Sequence, residues 1–206
     1  MKVLLIVDVQ NDFLPGGALA VENGDKVIPV INRLQEKFDF IVATQDWHPS
    51  NHGSFAANHR GNIVGDIIQL GGSKQILWPV HCVQETKGAD FPSSLHTKKW
   101  AKIFKKGTDP LVDSYSGFYD NERKKDTGLA SYLKKHNVKE VYVVGLATDY
   151  CVNFTVMDAL NEGFKTYLIK DATRAVNIRP ADYENAVMEM GDAGAILWES
   201  TDVLNS

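Results

Sequence analysis

The sequence predicts an α/β protein, a three-layer α/β/α arrangement around a mainly parallel sheet, and three observations carry that prediction. Short β-branched apolar runs recur along the chain, helical-period segments separate them, and no internal repeat, low-complexity tract or linker interrupts the alternation. Parallel strands need crossover connections, those crossovers are right-handed, and the helices then cover both faces of the sheet. The 206 residues, 44% of them hydrophobic, are enough for a single domain over 1–206 with a core able to hold a rigid site.

Val3 to Val9 reads as the first strand, an apolar run after one basic residue that is too short for a signal peptide or a spanning helix. A helix over Asp25 to Phe38 follows, with Val27, Ile28, Ile31 and Leu34 at helical spacing and Pro29 tolerated in its first turn. Phe40 to Thr44 is the second strand, Ile103–Phe104 a shorter third and Val141 to Gly145 a fourth, the last preceded by an amphipathic helix over Leu129 to His136. A helix runs on from Cys151 through Leu160 and stops near Gly163. The strand Thr166 to Lys170, a helix opened by Pro180 and a short strand Ala195 to Trp198 complete the series. His48 to Lys99 breaks the pattern, with Gly, Asn, Pro and Ser but few periodic apolar positions. A stretch of that length without regular structure points to a function, and it is expected to cover the site.

The 22 basic and 26 acidic residues give a net charge of -4 spread along the chain. That leaves no electrostatic footprint for nucleic acid or an anionic membrane, so a small molecule is the expected partner of a monomer or homo-oligomer. Two cysteines, Cys82 and Cys151, make no disulfide framework. Together with the lack of an export signal they point to a reducing cytoplasm, where a cysteine is structural or reactive.

In such a sheet ligands bind beyond the strand C-termini. Asp8 ends the first strand, Asp46 and His48 follow the second, Lys106 follows the third and Cys151 the fourth, so all fall at that edge. Each has a plain alternative: Asp8 a turn cap or the partner of an Arg, Lys106 a surface lysine, Cys151 a small core thiol. Cys151 opens a helix after Gly145-Leu146-Ala147-Thr148-Asp149-Tyr150, where unpaired amides favour thiolate and can hold an oxyanion. Asp46 and His48, one residue apart in an extended segment, project to the same side and can reach one cation if the loop returns His81. Cys82 reads as structural, His52 and His59 as solvated loop residues, and His96 and His136 as surface positions.

The chain resembles the bacterial nicotinamidases, also called pyrazinamidases, of the isochorismatase-like cysteine hydrolase superfamily. The resemblance runs nearly end to end through Val7-Asp8-Val9-Gln10-Asn11-Asp12-Phe13, Thr44-Gln45-Asp46-Trp47-His48-Pro49, Trp78-Pro79-Val80-His81-Cys82-Val83, Lys106-Gly107, Ser114-Tyr115-Ser116-Gly117-Phe118 and Gly145 to Val152. It implies a catalytic triad of Asp8, Lys106 and Cys151, with Asp46, His48 and His81 as ligands of one divalent metal, zinc first, iron or manganese otherwise. It also implies a cis peptide between Leu146 and Ala147, an oxyanion hole made by the Ala147 and Cys151 amides, and a ring pocket of Phe13, Trp78 and Tyr115. The implied reaction is hydrolysis of nicotinamide to nicotinic acid and ammonia through a Cys151 thioester, in NAD salvage, with pyrazinamide as a second substrate. The competing readings are another isochorismatase-like amidohydrolase, or a non-catalytic metal-binding or redox module in which Cys82 and Cys151 pair.

Overall fold

A computed structural model of the protein describes residues 1–205. Its main sheet contains β1 (Lys2–Val7), β2 (Ile41–Asp46), β5 (Lys102–Lys106), β6 (Glu140–Leu146), β7 (Lys165–Arg174) and β8 (Ile196–Trp198). The strand order is β5-β2-β1-β6-β7-β8 and every neighbouring pair is parallel. β3 (Ile67–Leu70) and β4 (Ser73–Ile76) form a separate antiparallel hairpin. The helices are α1 (Val27–Leu34), α2 (Leu129–Lys135), α3 (Asn153–Asn161), α4 (Asp182–Asp192) and α5 (Ser200–Leu204).

Alternation along β1 divides the core into two layers, because successive side chains of a strand point to opposite faces. Leu4 and Ile6 pack with Val27, Ile31 and Leu34 of α1 and Val203 of α5. Val3, Leu5 and Val7 pack on the other face with Leu129 and Leu133 of α2, Val156 of α3 and Met190 of α4. Each aliphatic side chain fully buried in this way contributes about 1.5–3 kcal/mol. The chain moves outward from β1 through β2 to β5, then returns to β6 on the opposite side of β1 and moves outward again. The sheet's topological switch point therefore lies between β1 and β6, where a crevice opens past the strand ends. Gly145 makes their close approach possible: its φ is +117°, and a Cβ there would lie 2.0 Å from the Val7 carbonyl oxygen.

Several boundaries differ from expectation. β1 stops at Val7, short of Val9, because Asp8 turns into the left-handed region at φ +48°. The helix read over Asp25 to Phe38 is α-helical only over Val27–Leu34, with a tight 3-10 turn on each side. Cys151 does not open an α-helix: Thr148–Val152 is a wide π turn, and α3 begins at Asn153. β7 runs on to Arg174, past a register shift opposite Val143 and Gly145. The hairpin and α5 were not expected at all. Among the described residues no helix is long and apolar enough to cross a membrane.

Candidate active site

Asp8 is fully buried, its Oδ1 accepting the Thr44 hydroxyl at 2.7 Å and its Oδ2 lying 2.9 Å from Lys106 Nζ. Lys106 is buried as well, and the three hydrogens of its ammonium go to Asp46 Oδ1 at 2.5 Å, the Ser114 carbonyl at 2.8 Å and Cys151 Sγ at 3.4 Å. An isolated buried charge is costly, so three buried charges persist here only because they sit against one another. Oxygens of Asp8 and Asp46 and the Cys151 sulfur lie within 4.8 Å of one another.

Burial opposes the charge on Lys106, but the Asp46 and Asp8 carboxylates outweigh it and hold its pKa well above the ordinary lysine value. For Asp46 burial is the largest single influence, but Lys106 and the His48 and His81 rings together outweigh it, and its carboxyl lies well below the usual range. Asp8 goes the other way: burial raises its pKa and Lys106 offsets only part of the effect. Burial also pushes the Cys151 thiol well up, against the pull of Lys106. The thiolate expected at this position is thus not favoured in the folded protein. The resting sulfur is therefore a thiol beside a carboxylate of raised basicity.

Asp46, His48 and His81 place three ligand atoms within 4.8 Å of one another. His48 Nδ1 meets the Gly107 carbonyl at 2.8 Å and His81 Nδ1 meets the Pro79 carbonyl at 2.8 Å. A carbonyl only accepts, so both Nδ1 atoms carry a proton, and both Nε2 atoms face Asp46 Oδ2, at 3.4 and 3.8 Å. Two imidazoles held through their outer nitrogens and one carboxylate fit a divalent ion. Gly107 matters to this set: at φ +63° its carbonyl meets His48, and a Cβ would lie 2.3 Å from His48 Cε1.

The cleft above Cys151 is lined by the expected Phe13, Trp78 and Tyr115 together with Asp46, His48, His81 and Ala147. Leu19, Asp113, Tyr150 and Val176 line it as well, and none of these was singled out in the sequence. Tyr150 had a signal, its place beside Cys151. Asp113 had none, since it arrives from a loop far along the chain. The long segment after His48 does reach the cleft, supplying Trp78 and His81. The Leu146–Ala147 peptide is cis, as the resemblance implied. The Tyr150 and Val152 amides both donate to the Ala147 carbonyl, at 3.1 and 3.0 Å.

The other histidines and Cys82 divide. His52 was expected in solvent, but it is fully buried, its ring 4.3 Å from that of His48 and its Nδ1 2.7 Å from Ser54 Oγ. Burial pushes its pKa down to about 4, so it is neutral. Its ring packs on Phe55, which in turn packs on His81, both from the same folded-over loop, which a linear reading does not reveal. His59 is half-buried with Nε2 2.7 Å from the Gly53 carbonyl, rather than free in water. His96 is exposed as expected, whereas His136 is half-buried against Phe40 and Tyr132. Cys82 is a free thiol buried in the α1-side core, in keeping with a structural role.

Comparison with known proteins agrees with this geometry. Residues 2–202 match the family model described as the isochorismatase domain. The nicotinamidase of Escherichia coli (strain K12) is 51% identical over 205 residues, covering 98% of this chain and 96% of its own. A solved nicotinamidase/pyrazinamidase of Acinetobacter baumanii superposes with a TM-score of 0.95 at 44% identity, over 98% of this chain and 97% of that one. The pyrazinamidase of Pyrococcus horikoshii in complex with zinc superposes with a TM-score of 0.77 at 42% identity, over 96% and 98%. With its parallel sheet, its buried Asp8–Lys106–Cys151 cluster and a family match over nearly its whole length, the chain belongs to the isochorismatase family.

Proposed function

We propose that the chain hydrolyses nicotinamide to nicotinic acid and ammonia, acting as one catalytic domain over residues 1–206, in NAD salvage. Pyrazinamide, with the same carboxamide on a similar ring, is a second substrate. The observation that carries the reading is the placement of the Cys151 thiol, against Asp8 and Lys106, on the floor of a cleft walled by aromatic rings and edged by Asp46, His48 and His81. Flat apolar walls suit a pyridine, and the charged floor suits amide chemistry.

In this mechanism Asp8 takes the Cys151 proton as the sulfur attacks the amide carbon, since a thiol pushed up by burial needs a base in contact. Lys106 keeps the charge within the cluster balanced throughout. Negative charge on the tetrahedral oxygen falls to the Ala147 and Cys151 amides. Protonated Asp8 then returns its proton to the nitrogen, the C–N bond breaks and ammonia leaves, and the acyl group stays on sulfur. Asp8 next takes a proton from water, the hydroxide adds to the thioester, and nicotinic acid departs as the thiol is restored. Asp46, His48 and His81 would hold the divalent metal, which we take as zinc, with iron or manganese as the other candidates, and which when bound supplies a Lewis-acid anchor for the pyridine nitrogen. Both cysteines are free, and a mechanism that needs a reduced thiol suits a cytoplasmic enzyme.

The test is ammonia release from nicotinamide by the purified protein. Cys151→Ala is expected to lower kcat by about 10³-fold or more, with bound metal and circular dichroism unchanged. Turnover by that variant at the parent rate would remove Cys151 as the nucleophile.

A further inference from the structure

The β3–β4 hairpin stands outside the main sheet, and much of it faces solvent, with Ile67 61% exposed. Gln75, on β4, is the exception at 3% exposed. Its Nε2 donates to the Tyr115 hydroxyl at 2.9 Å, to Asp113 Oδ2 at 3.1 Å and to the Ile76 carbonyl at 2.7 Å, two hydrogens shared among three oxygens. Trp78 Nε1 donates to the same hydroxyl at 3.0 Å, and the Trp78 and Tyr115 rings stand edge to face at 86°. The Tyr115 oxygen thus accepts from two donors three residues apart on the stretch that ends the hairpin, and Trp78, Asp113 and Tyr115 all line the cleft. In a buried setting neither ring tilts without leaving a donor unpaired, which is costly.

We infer that Gln75 is a positioning residue for the substrate's aromatic ring: acting through Tyr115 and Trp78, it fixes the walls that receive the ring and ties the hairpin to affinity. It lies outside the Asp8–Lys106–Cys151 cluster and the three metal-ligand candidates, so its effect belongs to binding rather than to chemistry. This rests on the proposed reading of the cleft as an amide site for a flat ring.

The experiment compares Gln75→Leu, Tyr115→Phe and the double variant in steady-state kinetics with nicotinamide. It also measures the rate at which iodoacetamide alkylates Cys151, because that small reagent does not need the ring walls. Gln75→Leu is expected to raise KM about tenfold with kcat within about twofold, and to leave the alkylation rate and metal content unchanged. The double variant is expected to bind no worse than Tyr115→Phe alone, since both substitutions break one linkage. An unchanged KM, a parallel loss in kcat and alkylation, or effects that multiply in the double variant would overturn the inference. Gln75→Met, of matching length, takes the place of Gln75→Leu if that variant does not fold. Should the parent protein release no ammonia from nicotinamide, the proposed function fails on its own. Calorimetric binding of nicotinamide to Cys151→Ala, with and without Gln75→Leu, then decides the inference separately, a tenfold weakening supporting it and equal affinity overturning it.

Discussion

At Cys151 two effects oppose each other, burial raising the thiol pKa and Lys106 lowering it, and burial wins. A nucleophile in that state depends on its base, so Asp8→Asn, which keeps the shape and removes the basicity, should lower kcat/KM by about 10³-fold. The same logic sets the acid limb of the pH profile. Asp8 must be ionised to take the proton, and burial raises its pKa, so activity should fall with acidification beginning above the ordinary carboxylate range. A kcat/KM profile that stays flat down to that range would remove Asp8 as the base. Lys106 carries a structural burden besides. Lys106→Met leaves Asp8 without its cation, and removing one partner of a buried ion pair costs about 3 kcal/mol or more, which denaturant unfolding would register as a lower midpoint at unchanged slope. These residues were legible because each follows a strand end, where buried apolar sequence gives way to a charge or a thiol. The direction of the thiol shift was not legible, because it depends on burial by segments distant in the chain. His52 differs from expectation for the same reason: a polar loop sequence does not reveal that the His48 and Phe55 rings pack against it.

The elements around the site hold its ligands through backbone groups. Gly107, just past β5, presents its carbonyl to His48 Nδ1, and the space a Cβ would need is filled by the His48 ring. Gly107→Ala would both strain the left-handed backbone and displace that ring. Loss of such supporting contacts weakens metal binding by about 10–100-fold, so metal retained after dialysis against a competing chelator should fall well below that of the parent. Equal retention would show that the ring finds another seat. The alternation of strands and helices was readable because buried parallel strands are nearly continuous apolar runs. The β3–β4 hairpin was missed, although Gly71-Gly72 between Ile67–Leu70 and Ser73–Ile76 is a two-residue turn signal, because its strands are short and half-exposed. The π turn at Thr148–Val152 has no comparable signal in composition: its residues read equally well as the first turn of an α-helix.

At the scale of the whole molecule, the strand order brings the ends of β1, β2, β5 and β6 to one edge, and the proposed metal-ligand set is built on that frame rather than on the ion. Asp46 closes β2 and is fixed from outside its own strand, its amide donating to Gln10 Oε1 at 2.8 Å while Gln10 Nε2 donates to its carbonyl at 2.8 Å. His48 and His81 are each oriented by a backbone carbonyl, and the two apolar layers on either side of the sheet owe nothing to a metal. Removing the ion with a chelator should therefore leave the far-ultraviolet circular dichroism intact while affinity for nicotinamide is lost, and adding zinc back should restore it. Because an ion that binds only the folded state stabilises it by mass action, the melting temperature should also rise with free metal, by the equivalent of about 2.7 kcal/mol at one hundred times the dissociation constant. Unfolding on chelation would contradict a preformed site. An unchanged affinity for nicotinamide in the metal-free protein would place ring recognition wholly in Phe13, Trp78 and Tyr115, walls that the loops after β1, β2 and β5 assemble without any ion.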